Sequence, residues 1–157
     1  MIIFNPVINE LEVMVEKEAY TPIRAHATDA GLDIRSPISA DIPAGKSVVI
    51  NTGVHVNLPT IMCGGIVFHT AGILASKSGL NVKNSITGEG VIDVNYTGAI
   101  QVRLQNDSDK EYHISRGDKI IQLLVVPVLT PNIKVVNEFS GVDPNGRGDN
   151  GFGSTGK

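Results

Sequence analysis

The sequence predicts an all-β domain: a sandwich, a barrel or a jelly roll. Apolar residues alternate with polar ones almost throughout, turn signals recur between the alternating runs, and no long window shows a clean helical period. Alternation of this kind buries one face of a strand, because successive side chains point to opposite sides of the pleat.

In chain order, "LEVMV" brings Leu11, Val13 and Val15 to one face, and "SVVINTGVHVNLP" does the same for Val54, Val56 and Leu58. "AIQVRLQ" groups Ile100, Val102 and Leu104, while "IIQLLVVPV" is an unbroken run suited to a strand covered on both faces. Turns are expected at "IPAG", "LPT", "NDSDK", "SRGDK" and "LTPN". "GLNVKNS" could hold a turn or two of helix. There is no internal repeat. From Ser140 onward the only large apolar residues are Val142 and Phe152, too few to build a core. The expected organisation is one folded β domain over residues 1–139 and a glycine-rich arm over 140–157, either disordered or ordered by a partner.

The 157 residues fit one domain with a real core. A net charge of -3 leaves no basic surface for duplex nucleic acid, so no direct nucleic-acid binding is expected. Phosphate contacts must then be local and aimed at a small molecule. The single cysteine, Cys63, excludes an internal disulfide. "MIIFNPVINELEV" lacks a basic region followed by a long apolar run, and no stretch has transmembrane length, so a cytoplasmic protein off the membrane is expected. In that setting the sequons at Asn95 and Asn106 and the RGD tripeptides at Arg116 and Arg147 read as chance.

Several short stretches carry chemistry. "GFGSTGK" places Gly151, Gly156 and Lys157 as a phosphate loop would, but the chain ends where a Ser or Thr and a helix are required, so that reading fails. In "GEGVIDVNYTG", Asp93 interrupts the apolar Val91 and Ile92; it either faces a cleft or caps a hairpin turn, with nothing in the spacing to choose. Lys77, Ser78 and Gly79 of "ILASKSGLNVK" join a cation, a hydroxyl and bare N–H groups that can cradle phosphate oxygens, although such a tripeptide is more often an ordinary turn. "ATDAGLDI" sets Asp29 and Asp33 about a glycine, and a solvated turn is its simpler reading. His26, His55, His69 and His113 are scattered without the spacing of a zinc site.

Together and in this order, "ATDAGLDIRS", "SKSGL", "GEGVIDVNYTG", "RGDKIIQL" and "GRGDNGFGSTGK" resemble the five motifs of the trimeric dUTP pyrophosphatase (dUTPase) family, from about Arg24 to the last residue. The resemblance implies a jelly-roll-like β-barrel assembled as a homotrimer, with the C-terminal arm closing over a neighbouring subunit's site. It implies hydrolysis of dUTP to dUMP and pyrophosphate, which keeps uracil out of DNA and supplies dUMP for thymidylate synthesis. Asp93 matches the carboxylate that orients and deprotonates the attacking water, Gln122 the amide that helps hold it, and Arg147 the arginine that reaches the γ-phosphate. Lys77, Ser78 and Gly79 match the phosphate-binding motif. Tyr96 matches the ring that packs on the deoxyribose and excludes a 2′-hydroxyl. Gly90, Val91 and Ile92 match the hairpin backbone that reads uracil, with Gln101 opposite. Phe152 matches the residue stacking on the base, and Gly153, Ser154 and Thr155 the part of the arm that touches the triphosphate. Mg²⁺ is the implied cofactor, with Asp33 touching its water shell as an outer-shell ligand.

The sequence departs from the family pattern at three places. Lys77 stands where an arginine is usual, which keeps the charge but loses the bidentate fork. Asn95 replaces a frequent second acid, and the link between the second and third motifs is short. Two other functions compete. A dCTP deaminase of the same superfamily would need a glutamate acid/base, for which Glu89 is the candidate, but the phenylalanine arm favours dUTP. A nucleotide-responsive binding protein on the same scaffold, with a regulatory protein partner, is the other.

Overall fold

A computed structural model of the chain describes residues 7, 8 and 10–141. Its strands are β1 (Val7–Ile8), β2 (Glu12–Val15), β3 (Leu32–Arg35), β4 (Ala40–Ile42), β5 (Ser47–Asn51), β6 (Val54–Asn57), β7 (Ile61–Cys63) and β8 (Ile66–Ala75). Helix α1 (Ser78–Asn84) follows, then β9 (Ile86–Thr87), β10 (Glu89–Ile92), β11 (Gln101–Asn106), β12 (Tyr112–Ile114) and β13 (Lys119–Val128). The all-β expectation stands, and "GLNVKNS" forms the short helix.

Long strands β8 and β13 pair antiparallel and form the spine of the largest sheet, in the order β1-β7-β8-β13-β3. Strand β10 also pairs with β8, over Gly72–Ala75. It lies on the edge opposite β13, because β13 pairs with the same four residues. The remaining strands form the ladders β5-β11-β9, β12-β4 and β2-β6. Between these layers lies a core that includes Ile34, Ile50, Ile92, Ile100, Leu104 and Leu123, each at most 7% exposed. β-branched residues suit this setting, since the pleated surface accepts them in their preferred rotamers.

Most of the alternation behaves as the period requires. Val54, Val56 and Leu58 are buried, as are Ile100, Val102 and Leu104. In β13 the neighbours Ile120 and Ile121 are both buried, which strict alternation forbids; the register shifts between Lys119 and Ile121, and this bulge turns both inward. Strand β2 departs from expectation. Val13 is exposed and Leu11 and Val15 only half-buried, and among the described residues β2 pairs with β6 alone.

One expectation is corrected. The stretch around Gly90 to Gln101 is not a paired hairpin: β10 lies along β8, whereas β11 lies along β5 and β9. Ile92 and Ile100, both buried, anchor the two ends of the connecting loop in the core, and residues 93–100 carry the chain from one sheet to the other.

Turn chemistry explains two of the chance motifs. Asn106 is fully buried; its amide donates to the Ile42 and Lys110 carbonyls at 2.8 and 2.7 Å, and its oxygen accepts from Ser108 N–H at 3.0 Å. At the first RGD, Gly117 has φ +92, and Asp118 accepts from Ser115 N–H at 2.8 Å to close the turn into β13. Beyond β13 the chain leaves the sheet and exposes Leu129, Ile133, Val135 and Phe139.

Candidate active site

The expected site residues fall into two clusters and a third group that lies outside the described residues. The first cluster follows from strand register. Asp33 on β3 faces Gln122 on β13, Gln122 faces Ala75 on β8, and Ala75 faces Glu89 on β10. Residues directly opposite in an antiparallel ladder project from the same face, so this row shares one surface. Where β8 ends, Ser76, Lys77 and Ser78 lead into α1. The Ser76 hydroxyl donates to the Gly88 carbonyl and accepts from Gly88 N–H, both at 2.8 Å, tying the start of α1 to the approach of β10. Gln122 donates Nε2–H to the Ser76 carbonyl at 3.1 Å, which fixes the amide over the same turn. Gly31 passes so close that a Cβ there would sit 2.6 Å from Gln122 Oε1.

Asp33 is 7% exposed, and both its oxygens are engaged. Lys77 donates to Oδ1, and Lys119 lies 2.8 Å from Oδ2. Burial by itself would raise the Asp33 carboxyl, but the hydrogen bonds and charges of Lys119 and Lys77 together prevail and hold it below the ordinary aspartate value. Lys77 also occupies the N-cap position of α1 in an extended conformation, with no side chain capping the helix and no acid in its first turn. Ser78 and Gly79 therefore open the helix, and a Cβ at Gly79 would meet nothing within 4 Å.

The second cluster lies on β10 and its loop. Gly90, Val91 and Ile92 pair with Leu74, Ile73 and Gly72, and Val91 projects outward, 64% exposed. The strand ends at Ile92, so Asp93 begins a turn: its carbonyl accepts from Tyr96 N–H at 3.1 Å, and Asn95 takes a positive φ of 69. The Asp93 side chain is exposed and has no hydrogen bond or ion pair among the described residues. The Tyr96 ring folds over Gly98, and its hydroxyl donates to the Ala99 carbonyl at 3.1 Å. A Cβ at Gly98 would fall 2.7 Å from the ring's Cζ, so the glycine makes room for that pose. His55 holds the loop from below, with Nδ1 at 2.8 Å from the Thr97 carbonyl and Nε2 at 3.0 Å from Glu16. Gln101 is exposed at the start of β11, opposite Asn51.

The two clusters adjoin at Glu89 and Gly90, but Asp93 and Gln122 stand apart within one chain. Gln122 shares a row with Glu89, and Asp93 lies four residues further along. At about 3.3 Å per residue and ~4.8 Å per strand, with β8 between them, their backbones are roughly 16 Å apart. Arg147, Phe152, Gly153, Ser154 and Thr155 lie outside the described residues.

Two residues of the first cluster escaped the sequence reading, Ser76 and Lys119. Both stand inside quoted motifs, "SKSGL" and "RGDKIIQL", but only the strand register shows that Lys119 reaches across to Asp33. A cleft of about 560 Å³ opens beside this cluster, lined by Ser76, Asn81, Thr87, Gly88, Glu89, Arg103 and Gln105.

A family model described as dUTPase matches residues 17–156. The chain belongs to the dUTPase family. Its relatives include the deoxyuridine 5′-triphosphate nucleotidohydrolases of Corynebacterium glutamicum, 38% identical over 92% of this chain and 93% of that one, and of Candida albicans, 38% identical over 87% and 80%. Among solved structures, the dUTPase of Staphylococcus bacteriophage 80alpha with dUPNHPP aligns with a TM-score of 0.82 at 32% identity, covering 95% of this chain and 99% of that one. A mutant dUTPase from phage phi11 of S. aureus, described with a structural Mg(II) ion, aligns at 0.73 and 30% identity over 84% and 99%. These dUTPases share the jelly-roll β fold seen here, and the matched range contains both clusters and the arm residues. No helix among the described residues is long and apolar enough to cross a membrane.

Proposed function

We propose that this dUTPase hydrolyses dUTP to dUMP and pyrophosphate in a site shared between copies of the chain. The observation that carries the sharing is the separation of about 16 Å between Asp93 and Gln122 across the β13-β8-β10 register, too far for both to hold one water. Two further facts support assembly: β2 and the segment after β13 both leave apolar side chains bare, as surfaces awaiting a partner do. A homotrimer supplies Asp93 from one copy and Gln122 from another.

In this reading the Asp93 carboxylate takes a proton from water as its oxygen attacks the α-phosphorus. The bond to the bridging oxygen breaks, and pyrophosphate leaves with the electron pair. Little covalent work falls to the protein, so position and charge neutralisation supply the rate. The exposed, unpaired side chain of Asp93 suits a base that must reach a substrate held by another copy. Gln122 steadies the water; Lys77, Ser78 and Gly79 face the leaving phosphates. Tyr96, braced on Gly98, closes the 2′ position of the sugar. Gly90, Val91 and Ile92 offer uracil their backbone, with Gln101 beside them. Arg147 reaches the γ-phosphate, Phe152 covers the base, and Gly153, Ser154 and Thr155 complete the closure from the arm over 140–157. The site of action is the cytoplasm.

Mg²⁺ enters with the substrate, because it binds phosphate oxygens and keeps several of its waters. The described residues offer it no cluster of three His, Cys, Asp or Glu side chains as direct ligands. Asp33 would touch only its water shell, from a carboxylate whose two oxygens each hold an ammonium group. Pyrophosphate release from dUTP and from dCTP, each with and without Mg²⁺, tests the reading. Release from dUTP alone is expected. Ammonia from dCTP, or no release from dUTP, overturns it.

A further inference from the structure

Asp33 stands beneath two lysines, and the geometry of this triad differs from that of a metal ligand. The carboxylate is nearly enclosed at 9% exposure, while Lys77 and Lys119 above it keep 25% and 34%. One acid under two ammonium groups leaves a net positive charge at the rim. Arg35, the register partner of Lys119, adds to it, with its guanidinium turned to the Gly117 carbonyl at 3.4 Å. A dication whose water shell reached Asp33 would stand beside both ammonium groups, and their like charge opposes it. Lysine suits the observed arrangement better than arginine would. Its ammonium carries three donors on a point charge, so one can anchor to Asp33 while two stay free for phosphate oxygens.

We propose that Asp33 is a positioning residue that holds Lys77 and Lys119 as a paired cation clamp for the triphosphate of dUTP, and that it acts through these lysines and not through magnesium. Lys119 thereby becomes a phosphate-binding residue of this chain. The inference rests on reading the site as a dUTP site.

The test is binding of the α,β-imido analogue of dUTP to the full-length protein by calorimetry, in EDTA and again in excess Mg²⁺. Asp33→Asn keeps the shape but frees the lysines, and Lys119→Gln removes one prong. Each is expected to weaken binding in EDTA at least ~10-fold, the loss of one charge-assisted contact, while Lys119→Arg stays near the parent. A purely structural Asp33 would leave Lys119→Gln binding like the parent, and that result overturns the proposal. So does an Asp33→Asn variant that binds normally in EDTA and loses only the increment due to Mg²⁺. Should Asp33→Asn not fold, the contrast between Lys119→Gln and Lys119→Arg decides alone. A parent protein that fails to bind the analogue even with Mg²⁺ overturns the dUTP reading itself, a different outcome from either of these.

Discussion

Replacing Gly31 with alanine tests whether the Gln122 amide must sit where it does. The new Cβ would lie 2.6 Å from Gln122 Oε1, 3.1 Å from its Cβ and 3.2 Å from its Cδ. Ordinary contact begins near 3.4 Å, so Oε1 has to retreat by about 0.8 Å. The backbone of Gln122 cannot move with it, because ladders to Asp33 and Ala75 hold it from both sides. The side chain must therefore rotate. Rotation loses the 3.1 Å hydrogen bond to the Ser76 carbonyl, about 1 kcal/mol net. An off-rotamer torsion adds about 0.5–1.5 kcal/mol. Together these lower stability by ~2 kcal/mol, or roughly 4–8 °C in Tm for a domain of this size. Activity should suffer more than stability. A shift of about 1 Å in a positioning group can reduce turnover ~10²-fold. Pyrophosphate release at saturating dUTP, measured beside a thermal melt, reads both. A variant that melts lower but turns over dUTP at the parent rate would show that the Gln122 amide takes no part in the reaction.

Tyr96→Ala should raise activity toward UTP relative to dUTP, because in the proposed site the ring braced on Gly98 closes the 2′ position; unchanged discrimination in competing-substrate assays would contradict that role. The Asp33 triad also sets an acid limit. Its carboxyl is held below the ordinary aspartate value, so the stabilisation is complete above about pH 4 and is lost as pH falls through the lowered folded-state value. Urea midpoints between pH 5 and pH 3 should fall more steeply for the parent than for Asp33→Asn, and parallel slopes would refute the assignment.

The period of the side chains was readable from the sequence, and the partners of the strands were not. Alternation at Val54, Val56 and Leu58, or at Ile100, Val102 and Leu104, reports which face is buried, a local property. It says nothing of which strand lies alongside, which is why the stretch from Gly90 to Gln101 suggested a hairpin when its two strands join different sheets. The bulge beside Ile120 escaped for the same reason, since it exists only relative to β3. At the site, motif order brought out Lys77, Asp33 and Gln122. Lys119 and Ser76 came from register and hydrogen bonds between residues distant in sequence. The exposed Val13 shows the same limit in another form: its pattern is that of a buried strand, and among the described residues nothing covers it.

Sharing of the site between copies is tested most directly by mixing two inactive variants. Asp93→Asn and Gln122→Ala, co-expressed in equal amounts under different tags, should each be nearly inactive as homo-oligomers, with losses of at least ~10² for Asp93→Asn. If one copy supplies Asp93 and its neighbour Gln122, random assembly in a closed ring makes about a quarter of the sites intact, and the mixed protein should recover about that share of parental activity. A mixture no more active than its two components would place both residues in the same chain's site and contradict the shared active site.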